Sequence, residues 1–197
     1  MNIIDTLKYY GRDVVLPVKE MKRYIEPAIK KSRITEIVDF GAGTLFFSEY
    51  FSQLGVNVLA VDTRYILNPP KNNDNKIILF NDILDVLKKI KNKKNKTQRG
   101  IFICDVIHHL PPKLWQELLP LITELFTLVM IKDVDAAKKF GFFMSRVHDR
   151  VINGETIEAV YPTTLQDALE KGDFLTARYN MPKLWYPHFL ILGQKTD

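Results

Sequence analysis

The sequence predicts an α/β domain built on a doubly wound seven-stranded sheet, mostly parallel and closed by an antiparallel hairpin. Three observations predict it. Between residues 34 and 132, apolar runs of strand character alternate with stretches of helical period. The first of these strands runs into a glycine turn and an amphipathic helix, and the second ends in an acid. Near the end of the chain, two further strand-like runs follow one another across a short linker bounded by prolines, with no helical pattern between them.

Residues Glu36 to Asp62 hold the organising unit. Ile37 and Val38 form a short strand that Asp39 ends, and Gly41 and Gly43 supply a turn without β-carbons, so that backbone can press close to a ligand. From Thr44 the period becomes helical: Phe47, Tyr50, Phe51 and Leu54 recur at three- and four-residue spacing until Gly55 closes the helix. Val56, Val58, Leu59, Ala60 and Val61 read as a strand buried on both faces. Asp62 follows Gly41 by 21 residues, the reach at which an acid meets a ribose in a βαβ nucleotide site.

The remaining elements follow in order. Residues 1–33 are expected to form a helical cap segment ahead of the domain at 34–197; Tyr9, Tyr10 and Arg12 lie early in it, and Val18, Met21, Ile25 and Ile29 (or Ala28) fall on one helical stripe that Pro27 is expected to kink or restart. Thr63 to Asn75 is a loop made rigid by Asn68-Pro69-Pro70. Ile77 to Phe80 is the third strand, and Asp82 opens a helical stripe of Ile83, Leu84, Leu87 and Ile90. Ile101 to Cys104 is the fourth strand, ended by Asp105; Leu114 to Leu125 is a crossover helix, and Phe126 to Lys132 the fifth strand. Phe140, Phe143, Met144, Val147 and Val151 then form an apolar helical stripe with His148 beside it, ended at Asn153-Gly154. Thr164 to Asp167 reads as a capping box, and Phe174 to Met181 and His188 to Leu192 as the closing antiparallel pair.

Bulk properties bound the function. At 197 residues, 46% hydrophobic and 26% charged, the chain suits one soluble globular domain. One cysteine, Cys104, excludes an internal disulfide framework and any multi-cysteine metal site; set in an apolar run, it is expected to be a buried thiol. The opening residues show no basic leader before an apolar core, and Glu117 and Glu124 interrupt the most apolar region, so a cytoplasmic protein without a membrane span is expected. The net charge of +5 is local, since Lys88, Lys89, Lys91, Lys93, Lys94 and Lys96 exceed it by themselves. Between Ile90 and Gly100 the sequence has no periodicity, and no aromatics lie between Phe80 and Phe102, which favours a solvated loop over a nucleic-acid patch.

The string Asp39-Phe40-Gly41-Ala42-Gly43, with Asp62 after it, resembles the first motif and following acid of the class I S-adenosylmethionine-dependent methyltransferases. The usual third glycine falls at Leu45, a departure that speaks against a dinucleotide, whose pyrophosphate needs close backbone approach. Asp105-Val106-Ile107-His108-His109-Leu110-Pro111 resembles the family's fourth motif, particularly in its small-molecule branch. The resemblance implies a Rossmann-like fold and S-adenosylmethionine as cofactor. It places Asp39, Phe40, Gly41, Ala42, Gly43 and Thr44 against the methionine part, Asp62 and Thr63 at the ribose, Asp82 and Ile83 at the adenine, and Asp105 and Val106 at the donor–acceptor junction. An N-terminal helix covering the cofactor is also implied, whereas the sequence itself shows an amphipathic segment that would equally pack on the sheet edge. Asp82 likewise suits an N-cap, and both roles are compatible.

His148, His109 and Asp105 are the catalytic candidates. An imidazole titrates near neutrality and can take a proton from a hydroxyl as its oxygen attacks a methyl group; His148 at the border of an apolar face equally suits a packing role. The adjacent His108 and His109, with no cysteine or paired carboxylate nearby in sequence, point to structural or substrate-facing roles, and no metal is expected. Trp185, Tyr186 and His188 wall a pocket or pack the hairpin. The expected activity is O-methylation of a small polar or anionic molecule, such as a sugar or phosphorylated precursor, with nucleic acid a less favoured partner. The alternatives are an RNA methyltransferase, a nicotinamide oxidoreductase and a cofactor-binding protein without chemistry of its own.

Overall fold

The computed structural model describes residues 16–72, 74–92, 98–154 and 156–196. Tyr9, Tyr10 and Arg12 of the expected cap, and Lys93, Lys94 and Lys96 of the lysine-rich stretch, lie outside the described residues. The elements are α1 (Val18–Lys31), β1 (Glu36–Phe40), α2 (Phe46–Gln53), β2 (Asn57–Val61), β3 (Ile77–Phe80), α3 (Ile83–Lys91), β4 (Arg99–Cys104), α4 (Pro112–Leu125), β5 (Leu128–Val134), α5 (Lys139–His148), α6 (Pro162–Glu170), β6 (Phe174–Asn180) and β7 (His188–Lys195). Single helical turns follow β2 at Thr63–Ile66 and β4 at Ile107–His109.

The strands form one seven-stranded sheet in the order β3-β2-β1-β4-β5-β7-β6. The first five pair in parallel, while β7 runs antiparallel to both β5 and β6. Chain order reverses between β1 and β4, and in such sheets the crevice beyond the carboxyl ends at that reversal receives ligands.

Side chains alternate across the sheet with a period of two, which divides the core into two layers. Val38, Leu59, Ile101, Val129 and Ile191 face one way and pack on α3, α4 and α6 through Val86, Leu118, Ile122, Leu165 and Leu169. Ile37, Val58, Phe102, Met130 and Leu190 face the other way, onto α1 and α2 through Met21, Ile25, Phe47 and Phe51. Burial on both faces explains the nearly unbroken apolar composition of β2 and of the central stretches of β4 and β5.

Several expected boundaries move. β1 runs on through Asp39 to Phe40, because both residues pair with β2 and β4. α1 is continuous through Pro27 and buries Met21, Ile25 and Ile29 against the sheet. α2 begins at Phe46 rather than Thr44, since Leu45 sits in the left-handed region at φ 67°. β4 starts at Arg99, whose guanidinium is paired with Glu36 at 2.8 Å within the sheet's lower edge. β5 extends to Val134, so Asp133 lies inside the strand opposite Phe189. The expected capping box is not one: α6 opens at Pro162, a residue preset for the first helical position, and Thr164 to Asp167 lie within the helix.

The largest correction concerns α5. Its apolar stripe faces outward, with Phe140, Phe143 and Val147 exposed, as is Val151 in the helical turn that follows, and the buried positions of the helix are Gly141 and Ser145. Close approach decides this: a β-carbon on Gly141 would lie 2.5 Å from the Trp185 carbonyl oxygen, so only a face of small residues can seat there.

Candidate functional site

The glycine turn after β1 is held from inside. Gly41 and Ala42 both donate their N–H groups to the Val61 carbonyl, at 2.8 and 3.0 Å, and Leu45 donates to Ala42. Gly41 lies at φ +81°, and a β-carbon there would meet Val106 Cγ2 at 2.1 Å, so the turn after β1 and the turn after β4 touch directly. Asp39 is buried and accepts a hydrogen bond of 2.6 Å from the Ser48 hydroxyl, which ties β1 to α2. Thr44 and Thr63 are exposed at the rim, and Phe40 and Ala42 are buried beneath it.

Asp62 closes the turn from β2. Its Oδ2 accepts the Gly43 N–H at 2.9 Å and its Oδ1 the Arg64 N–H at 3.0 Å. The Arg64 guanidinium adds Nε to Oδ1 at 2.8 Å and Nη2 to Oδ2 at 2.7 Å. Burial raises the Asp62 carboxyl, but these Arg64 and Gly43 donors outweigh it and hold the group below the usual carboxylate range. Further out, Asp82 caps α3 by accepting the Leu84 N–H at 2.8 Å, and Ile83 is buried at the start of that helix.

Beyond β4 and β5 lies a cluster of buried charges. Asp105 takes a left-handed backbone at φ 54°, with its N–H on the Lys132 carbonyl at 2.9 Å. A non-glycine residue in that conformation is held there by its surroundings. The Lys132 ammonium, fully buried, donates to both Asp105 carboxylate oxygens at 2.5 Å. Burial raises the Asp105 carboxyl, yet Lys132, His188 and His108 override it and bring it down to about 2. His108 is buried and bonded through Nδ1 to Asp133, which also accepts the Val134 N–H at 2.7 Å. Burial disfavours the imidazolium, but the Asp133 carboxylate more than compensates, and His108 titrates at about 9. Burial and the Asp105 charge push the Cys104 thiol well up, so it stays protonated.

The two adjacent histidines therefore separate: His108 turns inward to Asp133, while His109 is exposed, its ring centroid 4.1 Å from that of His108. His148, at the end of α5, is half-buried and hydrogen-bonded through Nδ1 to the Tyr186 hydroxyl. Tyr186 in turn stacks on His188, with centroids 5.5 Å apart. Asp105, His108 and Asp133 each offer a ligand atom, and these atoms lie within 4.8 Å of one another. Within this cluster Lys132 is bonded to Asp105 and His108 to Asp133.

Sequence reasoning missed Lys132 and Arg64, and left His108 and Asp133 outside its choice of catalytic residues. A signal existed for Lys132 and Asp133: two consecutive charges at the end of an otherwise apolar buried strand. Arg64 carried no such signal, being one of several arginines in polar loops.

No described helix is long and apolar enough to cross a membrane. No protein-family model and no curated protein sequence matches the chain. Solved structures do resemble it. An S-adenosylmethionine-dependent methyltransferase from Archaeoglobus fulgidus superposes with a TM-score of 0.72 at 18% identity, over 90% of this chain and 93% of that one. The 1,6-didemethyltoxoflavin-N1-methyltransferase of Burkholderia thailandensis, solved with bound 1,6-didemethyltoxoflavin and S-adenosylhomocysteine, gives 0.62 at 16% identity, over 98% and 85%. The magnesium protoporphyrin IX methyltransferase of Synechocystis, with bound S-adenosylhomocysteine, gives 0.63 at 12% identity, over 100% and 88%. At these identities the likeness is one of architecture, and the chain has the fold that these methyltransferases share.

Proposed function

We propose that the chain is an S-adenosylmethionine-dependent methyltransferase acting on a small molecule. The observation that carries this reading is Asp62, a buried carboxylate at the carboxyl end of β2, aimed at the glycine turn beside the point where strand order reverses. A carboxylate is an acceptor only, which suits the two hydroxyls of an adenosyl ribose. The turn suits a ligand without phosphates, because Gly41, Ala42, Gly43 and Leu45 use their N–H groups within the protein. Asp62 would hold the ribose, the rim from Gly43 to Thr44 the methionine part, and Asp82 with Ile83 the adenine.

When bound, the cofactor supplies a methyl group already activated on a sulfonium, so the protein's tasks are to align the acceptor and accept a proton. His148 is the best placed base for an oxygen acceptor. In that role its Nδ1–H donates to the Tyr186 oxygen, leaving Nε2 free to receive the proton. Burial raises the Tyr186 phenol, so it remains neutral beside His148. His108 is unsuited to the task at neutral pH, because Asp133 keeps it charged. A small polar acceptor is favoured over nucleic acid, and the neighbour solved with 1,6-didemethyltoxoflavin supports a small-molecule reading.

Titration calorimetry with S-adenosylhomocysteine tests the cofactor. Micromolar binding by the wild type, abolished in Asp62→Ala, is expected, since each charge-assisted bond to the ribose is worth on the order of 1.5–3 kcal/mol. Retained affinity in the variant, or a response to a nicotinamide dinucleotide instead, would overturn the assignment.

A further inference from the structure

We infer that Arg64 is a latch on the cofactor site, an internal stand-in for the ribose that must leave before an adenosyl group can bind. The inference rests on the cofactor reading above. Asp62 is nearly fully buried, its side chain 6% exposed, and its two oxygens already receive four donors: the Gly43 and Arg64 N–H groups and two guanidinium nitrogens. A carboxylate offers about four acceptor positions, so Asp62 is saturated and ribose hydroxyls can enter only by exchange. The two backbone donors are fixed by the fold, which leaves the guanidinium as the group to be exchanged.

Its position fits that role. A β-carbon on Gly43 would lie 3.1 Å from Arg64 Nη2, so the guanidinium covers the open face of the glycine turn as well as the carboxylate. The Arg64 side chain is nevertheless 71% exposed, and little packing is lost when it swings away. The backbone under it does not need to move. Tyr65, buried next to Arg64, donates its N–H to the Asp62 carbonyl at 3.0 Å and its hydroxyl to the Gly43 carbonyl at 3.0 Å, which pins the turn to the loop. The latch is therefore a rotation of one side chain about a fixed turn.

A site whose open form is a minority binds with an affinity lowered by that fraction. A bidentate pair with one buried and one exposed partner shuts the site by roughly five- to tenfold. Arg64→Ala is thus expected to bind S-adenosylhomocysteine about five to ten times more tightly than wild type. Raising sodium chloride from 50 to 500 mM should tighten wild-type binding, because salt screens the ion pair that competes, and leave the variant flat. In the wild type, the Arg64 Nε–H resonance should shift on titration with S-adenosylhomocysteine as its bond to Asp62 is lost. Equal or weaker binding by Arg64→Ala, with wild-type binding intact, overturns the latch and leaves the cofactor reading standing. No binding by either protein overturns the cofactor reading, and the latch falls with it. A thermal melt of the variant guards the comparison, and Arg64→Lys, which keeps the charge but not the fork, should lie between the two.

Discussion

Replacing Asp133 by Asn removes the charge that holds the buried His108 protonated, and the consequence can be worked out from the site. Both side chains are inside the protein, His108 at 5% exposure and Asp133 at 0%. Burial alone would drag the imidazolium below its ordinary value, but Asp133, helped by Asp105 and Asp149, raises it to about 9 from 6.5. At about 1.4 kcal/mol per unit, that difference is worth about 3 kcal/mol of folding stability. The folded value exceeds the unfolded one, so the contribution is fully present below pH ~6.5, fades between there and pH ~9, and is gone above.

The variant retains a hydrogen-bonding partner for a neutral imidazole but loses the ion pair, so its stability should lack this fade. Urea unfolding of both proteins at pH 6, 7.5 and 9.5 is the assay, with the His108 ring carbon followed by NMR. The wild-type advantage over Asp133→Asn should shrink by about 3 kcal/mol across that range. Parallel stability profiles, or a wild-type His108 that titrates between pH 6 and 7, would refute the reasoning.

The partners of the second buried pair are unequal, and their variants should show it. Asp105 is 29% exposed whereas Lys132 is 0% exposed, so Asp105→Asn, which strands the ammonium, should cost more than Lys132→Met; removing one partner of a buried pair typically costs about 3–5 kcal/mol. The double variant should recover much of the loss in a denaturant titration. Gly41→Ala should destabilise by at least about 2 kcal/mol through its left-handed backbone and its overlap with Val106. Adding Val106→Ala should relieve the overlap but leave about 1 kcal/mol of backbone strain, as read from melting curves. His148→Ala should lower kcat by roughly 100- to 10,000-fold with S-adenosylhomocysteine affinity unchanged, and lose the acid limb of the pH–rate profile; an unaltered profile would remove His148 from the chemistry.

The parts of the fold that were legible in sequence are those where one physical rule acts alone. β2 and the core of β4 are buried on both faces and read as apolar runs, and α1 and α3 carry their buried residues at helical spacing. Asp62 and Gly41 were legible because a strand end and a tight turn constrain residue type strongly. What misled was competition between rules. α5 carries a strong apolar stripe, yet the decisive constraint is the backbone of Trp185, which leaves no room for a β-carbon at Gly141. That contact joins residues more than 40 positions apart, and no local pattern announces it. The charged cluster was legible in part. Asp105 and His108 end a strand in view, but their partners Lys132 and Asp133 lie one strand over, and the pairing is a matter of register.

Leu45 shows how a departure from a motif can change packing while sparing the turn. Glycine at that place would reach the left-handed region freely; leucine takes the same conformation at φ 67°, at a cost of about 1–2 kcal/mol. The return is burial. Leu45 is 1% exposed and joins Ala42, Phe47 and Phe51 between α2 and the sheet, where full burial of such a side chain contributes about 1.5–3 kcal/mol. In a phosphate-binding turn the helix must seat close to the strand and present its N–H groups outward. Here a leucine fills the space between helix and strand, and the turn's N–H groups point back to Val61, Asp62 and Ala42. The same backbone path thus leaves Gly41, Ala42, Gly43 and Leu45 without an outward N–H for a phosphate, in keeping with the phosphate-free cofactor proposed above.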